Sequence, residues 1–427
     1  MNENSNIFIN KKILIYGLGK SGLSSFIFLK KRNKVFLFDD NKKNIISFNQ
    51  TNKLKFDVII ISPGIDINKC KLKKLLKKNF KIIYTDLDVF NSFYKNSCIT
   101  ITGTNGKSTT CQLLYEVLKK QIKDVRLAGN IGYPILSIKN IKKQTLFVIE
   151  ASSYQLEYSK IFRSKYSAIL NISPDHLERH KTLSKYIAAK FKLISNQDKN
   201  SIVLINKYDK LIQSKFKKFE SKSKIIQVNT RLKNKLINKF KNEYFFSESN
   251  KENLSFVIEF AKIFNIKKKK LINTVKNFKG LNYRQQIISK SKTIVIINDS
   301  KSTSYSSSIE MLKKKEKIYW LLGGISKKGD KFNLNKIYYK NIKGYIYGKN
   351  TTKFLLDLNN KIKTQKFSNL KKALIKLLND IKKDNYNNKI ILFSPAAASF
   401  DTFRNFEDRG QYFNKLIKRY VNDRKHF

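Results

Sequence analysis

The segment "ITITGTNGKSTTCQLLYEVL", residues 99–118, joins a β-branched apolar run to a helical pattern through a short glycine loop. A strand that feeds such a loop and then a helix directs backbone N–H groups and the helix N-terminus at an anion. Lys107 adds a positive charge, and the Ser108 hydroxyl can serve as a Mg²⁺ ligand. Ile101 replaces the first glycine of the longer G-x-x-x-x-G-K-[ST] pattern, so the signal is the shorter run from Gly103 to Ser108. This loop predicts an ATP phosphate site, and the alternative is a plain strand-to-helix turn with a surface lysine.

Two other predicted strands end in side chains that could share this site. Glu150 closes the apolar run "TLFVIE", and Asp175 and His176 follow the strand "YSAILNIS". The carboxyl ends of parallel strands meet at one edge of a sheet, so these side chains are expected beside Lys107. Taken singly, a strand-end glutamate is usually solvated or a cap, and a lone histidine is usually structural. Three strand ends at one edge favour a site for a nucleotide and a hard cation.

An earlier glycine pattern predicts a second nucleotide pocket. Gly17, Gly19 and Gly22 fit G-x-G-x-x-G after a predicted strand, and Asp39 ends the next strand. Gly64 lies in a Ser-Pro-Gly turn where a ligand could meet the backbone. By itself the pattern suggests a dinucleotide with Asp39 on a ribose hydroxyl, but an NAD enzyme would not explain the second phosphate loop.

The formal charge of +57 on 427 residues raises the possibility of a nucleic-acid partner. The lysines, however, are spread along the whole chain, and only ten of the 88 basic residues are arginine, the side chain that reads bases bidentately. A general lysine bias explains this better than a binding stripe, so we expect no nucleic acid and favour small polyanionic ligands such as nucleotides.

Cysteine and hydropathy patterns point to a reducing cytoplasm. Cys70, Cys98 and Cys111 are too few and too irregularly spaced for a metal knuckle or a disulfide framework. The first residues, "MNENSNIFINKK", are polar, and no stretch reaches the roughly 18 apolar residues of a membrane span. We therefore expect a cytoplasmic protein without a membrane partner.

Strand and helix patterns alternate along the chain, which predicts an α/β protein with mainly parallel, doubly wound sheets. The length favours about three domains. We place a Rossmann-like N-terminal domain at residues 1–92, a central P-loop ATPase-type parallel-sheet domain at 93–280, and a C-terminal Rossmann-like α/β domain at 281–427.

The motifs "GTNGKST", "GNIG", "EASSYQLE", "NISPDHLERH", "NDSKST", "LLGG" and "SPAAASFDTFRNFEDRG" resemble, in this order, those of the Mur ligases of peptidoglycan synthesis. The shared ATPase motifs specify only the superfamily, which includes folylpolyglutamate synthases. "SSYQLE" and "SPAAASFDTFRNFEDRG" are more similar to the members that add D-glutamate. The resemblance implies an ATP-dependent amide ligase that joins D-glutamate to UDP-N-acetylmuramoyl-L-alanine through an acyl phosphate, with ATP and two Mg²⁺ ions. We expect the protein to be a monomer.

The resemblance also assigns ligands residue by residue. It implies that ATP contacts Gly103, Thr104, Asn105, Gly106, Lys107, Ser108, Thr109, Asn253, Arg284 and Asp299. The UDP sugar contacts Ser21, Asp39, Gly64 and Asn130, and D-glutamate contacts Lys301, Thr303, Lys327, Ser399 and Phe406. The implied catalytic residues are Lys107, Glu150, His176 and Lys190, and the metal ligands are Ser108, Glu150, His176 and a carbamylated Lys190.

At three places the match between this sequence and the family's motifs is weak or differs from the usual pattern. Charge pattern alone would make Lys190 a solvated helix residue, and its role rests on the family's "AAK" motif. Asn282 and Tyr283 stand where the family usually has Pro-His before the arginine. The family's lysine could match Lys327 or its neighbour Lys328. The alternatives that stay open are another Mur ligase, a folylpolyglutamate synthase-like ligase and, remotely, a nucleic-acid-dependent ATPase.

Overall fold

A computed structural model describes residues 6–42, 46–327 and 329–422 of the chain. The chain divides into two compact units, Met1–Phe278 and Lys279–Phe427. The division lies two residues from the predicted domain boundary at 280/281. The further boundary at 92/93 stays a prediction, although the first unit contains two separate sheets.

Strands and helices alternate through both units, as the sequence patterns predict. The strands are β1 (Lys12–Tyr16), β2 (Lys34–Phe38), β3 (Val58–Ile61), β4 (Ile83–Tyr84), β5 (Cys98–Thr102), β6 (Val125–Gly129), β7 (Leu146–Glu150), β8 (Tyr166–Ile169), β9 (Ile202–Asn206), β10 (Lys224–Val228), β11 (Gln286–Lys290), β12 (Ile294–Asn298), β13 (Lys317–Leu322), β14 (Ile342–Tyr347), β15 (Lys363–Phe367) and β16 (Lys389–Phe393). The α-helices are α1 (Lys20–Leu29), α2 (Phe48–Lys53), α3 (Lys73–Lys78), α4 (Asp86–Phe93), α5 (Lys107–Lys119), α6 (Ser153–Glu157), α7 (Leu177–His180), α8 (Leu183–Ser195), α9 (Lys210–Phe216), α10 (Asn234–Asn238), α11 (Glu248–Ile263), α12 (Lys268–Asn277), α13 (Tyr305–Leu312), α14 (Thr351–Leu358), α15 (Leu370–Lys382) and α16 (Phe406–Ile417).

The first unit holds two parallel sheets. The smaller sheet has the order β2-β1-β3-β4, and the larger has the order β10-β9-β8-β5-β7-β6. In the larger sheet β5, which feeds the glycine loop, lies between β7 and β8. The residues that follow these three strands therefore emerge side by side at one edge.

Both faces of the larger sheet are covered, because successive strand residues point to opposite sides. Leu204 of β9 packs in the core that includes α5, α11 and α12, whereas Val203 and Ile205 pack with α8 and α9. Phe147 and Ile149 of β7 share a third core with Ile13 and Ile15 of β1. The two sheets of the first unit are thus joined by continuous apolar packing.

The second unit contains one sheet, ordered β11-β12-β16-β13-β14-β15, in which only β11 is antiparallel to its neighbour within the described residues. Ile318, Trp320 and Leu322 of β13 face one core, and Tyr319 and Leu321 face the other. The expected α/β fold with mainly parallel sheets is confirmed. Within the described part of the chain, no helix combines the length and the apolar character needed to cross a membrane.

Candidate active site

The glycine loop connects β5 to α5, as the sequence predicts. Gly106 precedes the helix with φ +78°, in the left-handed region. A Cβ added at Gly106 would lie 2.0 Å from Oδ1 of Asn253, a buried residue of α11. The structure therefore brings Asn253 against the loop, where a residue proposed to contact ATP should be.

A residue that the sequence analysis does not single out holds the loop in place. The backbone N–H of Thr104 donates to the Asn171 carbonyl at 2.9 Å, and that of Asn105 donates to Asn171 Oδ1 at 2.8 Å. Asn171 in turn donates from Nδ2 to Oε1 of Glu252 on α11 at 2.6 Å. The only sequence signal for Asn171 is its place two residues after β8, the strand that pairs with β5, and near Asp175.

Two lysines converge on the start of this loop. Lys107 Nζ donates to the carbonyls of Gly103 (2.9 Å) and Thr104 (2.8 Å), and Lys190 Nζ donates to the Gly103 carbonyl at 2.8 Å. Lys190 is 1% exposed, so it is not the solvated helix residue that charge pattern alone suggests. Burial lowers its pKa well below the usual value and the charge of Lys107 lowers it further, whereas Asp175 and Glu150 act in the opposite direction.

Glu150 lies at the end of β7, directly beside the loop. The Ser108 hydroxyl donates to Glu150 Oε2 at 2.5 Å, and Asn130 Nδ2 donates to Oε1 at 2.8 Å. Glu150 is 1% exposed, and the donors in both of these side-chain hydrogen bonds are neutral groups. A buried carboxylate whose contacts are neutral donors is a costly arrangement without a cation.

This arrangement fits a hard divalent cation, for which carboxylate and hydroxyl oxygens are the preferred ligands. Thr102 Oγ1 and Ser173 Oγ, next to the loop and to the Asp175 turn, are buried without a hydrogen-bond partner. Over the described residues no three His, Cys, Asp or Glu side chains converge as a ready metal cluster. A metal here would therefore depend on Ser108, Glu150, His176, Lys190 and ligands from the substrates.

His176 follows β8 and adopts a left-handed backbone conformation with φ 55°. Its Nδ1 lies 2.9 Å from the hydroxyl of Tyr154, and its Nε2 lies 3.4 Å from Asp175 Oδ2. Tyr154 belongs to α6, which begins just after β7. The Tyr154 contact therefore links the chain after Glu150 to the chain after β8.

His180, the second histidine of "DHLERH", was not predicted as a site residue. It is 2% exposed, and its Nε2 lies 3.0 Å from the Ser153 hydroxyl. Burial, reinforced by the positive charges of Arg179, His176 and Lys190, lowers its pKa to about 4. His180 is therefore neutral at pH 7 and is a buried structural residue that packs against the start of α6.

A separate cavity of about 560 Å³ lies at the carboxyl edge of the smaller sheet. Ser21, Asp39 and Gly64, three of the predicted UDP-sugar contacts, line it together. Asp39 accepts from the backbone N–H of Leu18 at 2.6 Å, so one of its oxygens already serves the glycine turn. Burial alone would raise the pKa of Asp39, but the backbone N–H groups of Leu18 and Asn41 and the charge of Lys42 bring it below its usual value. Asn130, the fourth predicted contact, instead bonds to Glu150.

The remaining predicted ATP contacts belong to the second unit. The backbone N–H of Gln285, next to Arg284, donates to Asp299 Oδ1 at 3.1 Å. Burial raises the pKa of Asp299 to about 7, although Ser394, Gln285 and Arg284 counteract this shift. The structure thus brings Arg284 and Asp299 together within that unit.

The predicted D-glutamate contacts follow neighbouring strands of the same sheet. Lys301 and Thr303 follow β12, Lys327 follows β13, and Ser399 follows β16, with β16 between the other two strands. Lys301 Nζ lies 3.9 Å from the centroid of the Phe406 ring, which is half-buried rather than part of the core. Lys328, the other candidate for the family's lysine, lies outside the described residues.

Arg409 was also missed by sequence reasoning. Its side chain is 1% exposed and donates to the carbonyls of Ser300 (2.7 Å) and Ala397 (2.9 Å). These carbonyls lie in the turns that carry Lys301 and Ser399. Arg409 therefore ties together two turns of the predicted amino-acid pocket, and an arginine inside a C-terminal helix gives no sequence sign of this.

Comparison with known proteins identifies the family. A family model described as the Mur ligase middle domain matches residues 101–275. The chain is 34% identical over 449 residues to the UDP-N-acetylmuramoylalanine--D-glutamate ligase of Rickettsia felis, with 98% of this chain and 99% of that protein covered. It is 35% identical over 449 residues to the protein of the same name from Buchnera aphidicola, with 96% and 98% covered. The crystal structure of MurF ligase from Thermotoga maritima in complex with ADP aligns with a TM-score of 0.56 over 97% of this chain and 100% of that one, at 13% identity, which shows a shared fold. The chain therefore belongs to the Mur ligases and, among them, to the UDP-N-acetylmuramoylalanine--D-glutamate ligase family.

Proposed function

We propose that this protein joins D-glutamate to UDP-N-acetylmuramoyl-L-alanine and converts ATP to ADP and phosphate in the same reaction. The observation that carries the proposal is the match to the Rickettsia felis ligase over 98% of the chain, because that protein's name states both substrates. The arrangement of Lys107, Ser108 and Glu150 supports the ATP-dependent part of the reaction.

The chemistry begins at the acceptor carboxylate, which is a poor electrophile. Transfer of the γ-phosphoryl group of ATP to this carboxylate gives an acyl phosphate. The unprotonated amine of D-glutamate then attacks the acyl carbon, the C–N bond forms, phosphate leaves with the C–O bond electrons, and the nitrogen releases one proton. Positioning of the reactants and stabilisation of the phosphoryl charge supply most of the acceleration in such reactions.

The first unit provides groups for both tasks. The loop from Gly103 to Thr109 would cradle the phosphates with its backbone N–H groups, and Lys107 would steady the transferring group. Asn253, against Gly106, would contact adenine. In the second unit, Arg284 and Asp299 would contact phosphate and ribose.

We assign Ser108 and Glu150 to one Mg²⁺ ion, and His176 and Lys190 to a second. Magnesium held by these residues would supply positive charge that stabilises the charge of the transferring phosphoryl group. Lys190 would serve as a carbamate: its neutral amine attacks carbon dioxide, a C–N bond forms, and one proton is released. The lowered pKa of Lys190 supports this role, because only the unprotonated amine reacts.

We assign the other two substrates to the carboxyl edges of the smaller sheet of the first unit and of the sheet of the second unit. Ser21, Asp39 and Gly64 would bind the uridine diphosphate in the 560 Å³ cavity, and Asn130 would reach the muramoyl part beside Glu150. Lys301, Thr303, Lys327, Ser399 and Phe406 would bind D-glutamate. We further propose three domains, with bounds 1–92, 93–280 and 281–427, and a cytoplasmic location. We also propose that the protein is a monomer, which sedimentation of the purified chain tests.

Phosphate release with ATP, Mg²⁺, UDP-N-acetylmuramoyl-L-alanine and one amino acid at a time tests the function. We expect release with D-glutamate and little with L-lysine, meso-diaminopimelate or L-glutamate. Turnover with one of these and not with D-glutamate would assign the chain to a different ligase reaction. Stimulation by DNA or RNA, with a steep salt dependence, would instead indicate a nucleic-acid-dependent ATPase.

A further inference from the structure

The two sheets of the first unit meet at a polar junction that has no part in the assignments above. One side is α4, which follows the last strand of the smaller sheet. The other is the loop of residues 159–163, which follows α6 and leads into β8 of the larger sheet. We call the contact between α4 and this loop the α4 junction.

Asp88 of α4 lies at its centre with 0% exposure. Its Oδ1 accepts from the Ser159 hydroxyl (2.9 Å) and from the backbone N–H groups of Lys160 (2.9 Å), Ile161 (2.8 Å) and Phe162 (3.0 Å). Its Oδ2 accepts from the backbone N–H (3.0 Å) and hydroxyl (3.1 Å) of Thr85, within its own helix start. One carboxylate oxygen thus serves α4, and the other serves the loop.

Neighbouring side chains extend the contact in both directions. Asn91 donates from Nδ2 to the Ile161 carbonyl at 3.0 Å and accepts from the Arg163 N–H at 3.2 Å. Lys160 Nζ donates back to the Phe80 carbonyl and lies 5.3 Å from the centroid of the Tyr84 ring. The loop is therefore fixed at five consecutive residues.

Two lysines, Lys160 and Lys192, lie within electrostatic reach of Asp88. Burial lowers the pKa values of Lys160 and Lys192, and the negative charge of Asp88 opposes that shift for both. A buried carboxylate adds little stability compared with apolar packing, but its hydrogen bonds hold only in one geometry. The apolar core shared by the two sheets already holds them together. We infer that the polar junction mainly sets the orientation of one sheet relative to the other.

Each side of the junction leads to one half of the proposed active site. Ser21, at the start of α1 and in the cavity assigned to uridine diphosphate, lies beside Asp86, two residues before Asp88 on α4; burial raises the pKa of Asp86 to about 6, and the Ser21 hydroxyl opposes that shift. On the other side, α6 carries Tyr154, the partner of His176. The orientation of α4 against the loop therefore relates the cavity to the phosphate loop.

We propose that Asp88 is a positioning residue that fixes the uridine diphosphate cavity relative to the ATP phosphate loop, so that the acceptor carboxylate reaches the γ-phosphate. This inference rests on the proposed function, because it concerns the alignment of those two substrates. A misplacement of about 1 Å between reacting groups can cost about 100-fold in rate.

The test compares Asp88→Ala with Thr85→Ala, which removes only contacts on the α4 side. Calorimetry gives the dissociation constants of ADP and of UDP, each for one half of the site, and steady-state assays give kcat. For Asp88→Ala we expect both dissociation constants within about twofold of the wild type and a kcat reduced at least about tenfold. Thr85→Ala should keep kcat within about twofold, and Asp88→Asn, which retains an acceptor for the loop, should recover part of the rate.

An unchanged kcat in Asp88→Ala overturns the inference. A loss of kcat that is matched by an equal loss of ADP or UDP binding also overturns it, because that result would indicate local unfolding. If Asp88→Ala does not fold, Asn91→Ala, which removes two contacts to the loop, carries the same expectation with a smaller effect. The wild type decides the proposed function separately, since an active wild type with an equally active Asp88→Ala contradicts only the positioning role.

Discussion

Ser108 and Glu150 are joined by a 2.5 Å hydrogen bond between the first turn of α5 and the end of β7. These residues are 42 positions apart in sequence, and they meet because β5 and β7 are neighbouring parallel strands. The pair places a hydroxyl and a buried carboxylate beside Lys107. This contact is the structural centre of the proposed ATP site, and it leads to the first prediction.

Glu150→Gln should reduce kcat about 100- to 1,000-fold, the range typical of losing one preorganised electrostatic group. The amide keeps the size of the side chain and can still accept from Ser108, so thermal stability should change little. Glu116→Gln, at a half-buried position of the same helix as Ser108, is the matched control. Steady-state kinetics and thermal unfolding measure both effects, and wild-type kcat in Glu150→Gln would remove Glu150 from the mechanism.

Lys190→Ala should reduce activity at least about 100-fold, and acetate should restore part of it by replacing the missing carboxylate oxygens. Lys185→Ala, at an exposed position of the same helix, is the control and should match the wild type. Activity assays with and without acetate measure the recovery. A fully active Lys190→Ala would exclude the metal-binding role proposed for this lysine.

Gly106→Ala should weaken ADP binding and destabilise the first unit by about 1–2 kcal/mol, the cost of a left-handed conformation in an L-residue. The new Cβ would also lie 2.0 Å from Asn253 Oδ1, so the loop must shift. Gly19→Ala is the control, because Gly19 has φ −74° and open space at its Cβ. Calorimetry with ADP separates the two variants, and equal ADP affinity in both would contradict the described loop conformation.

His180 should make stability depend on pH between about 6.5 and 4. Its pKa is about 4 in the folded protein and about 6.5 in an unfolded chain. The unfolded state therefore binds the proton first as the pH falls, and stability is lost progressively over this window. The difference of about 2.5 between these two pKa values corresponds to a loss of about 3 kcal/mol from this group. In His180→Gln the profile should be flatter by about that amount, as measured by denaturant unfolding at several pH values. Parallel profiles for the two proteins would show that His180 is not buried in neutral form.

Local sequence patterns are sufficient to predict the phosphate loop, because its strand, glycine turn and helix are contiguous in sequence. The same holds for the place of Glu150 at a strand end. The hydrogen-bond partners of these residues could not be predicted in this way. Asn171, for example, holds the loop because β8 is the neighbour of β5 in the sheet. Sequence also suggested that Asp39 binds a ribose hydroxyl, whereas the fold gives one of its oxygens to the Leu18 N–H.

By itself the sequence determined the alternating α/β pattern, the two glycine loops and the family, since each is written in contiguous motifs. The tertiary structure alone decided the burial of Lys190 against Gly103, the contact of Tyr154 with His176, and the junction around Asp88. Those relationships depend on strand order and on which helix covers which face, and these are set by long-range packing that no short segment encodes.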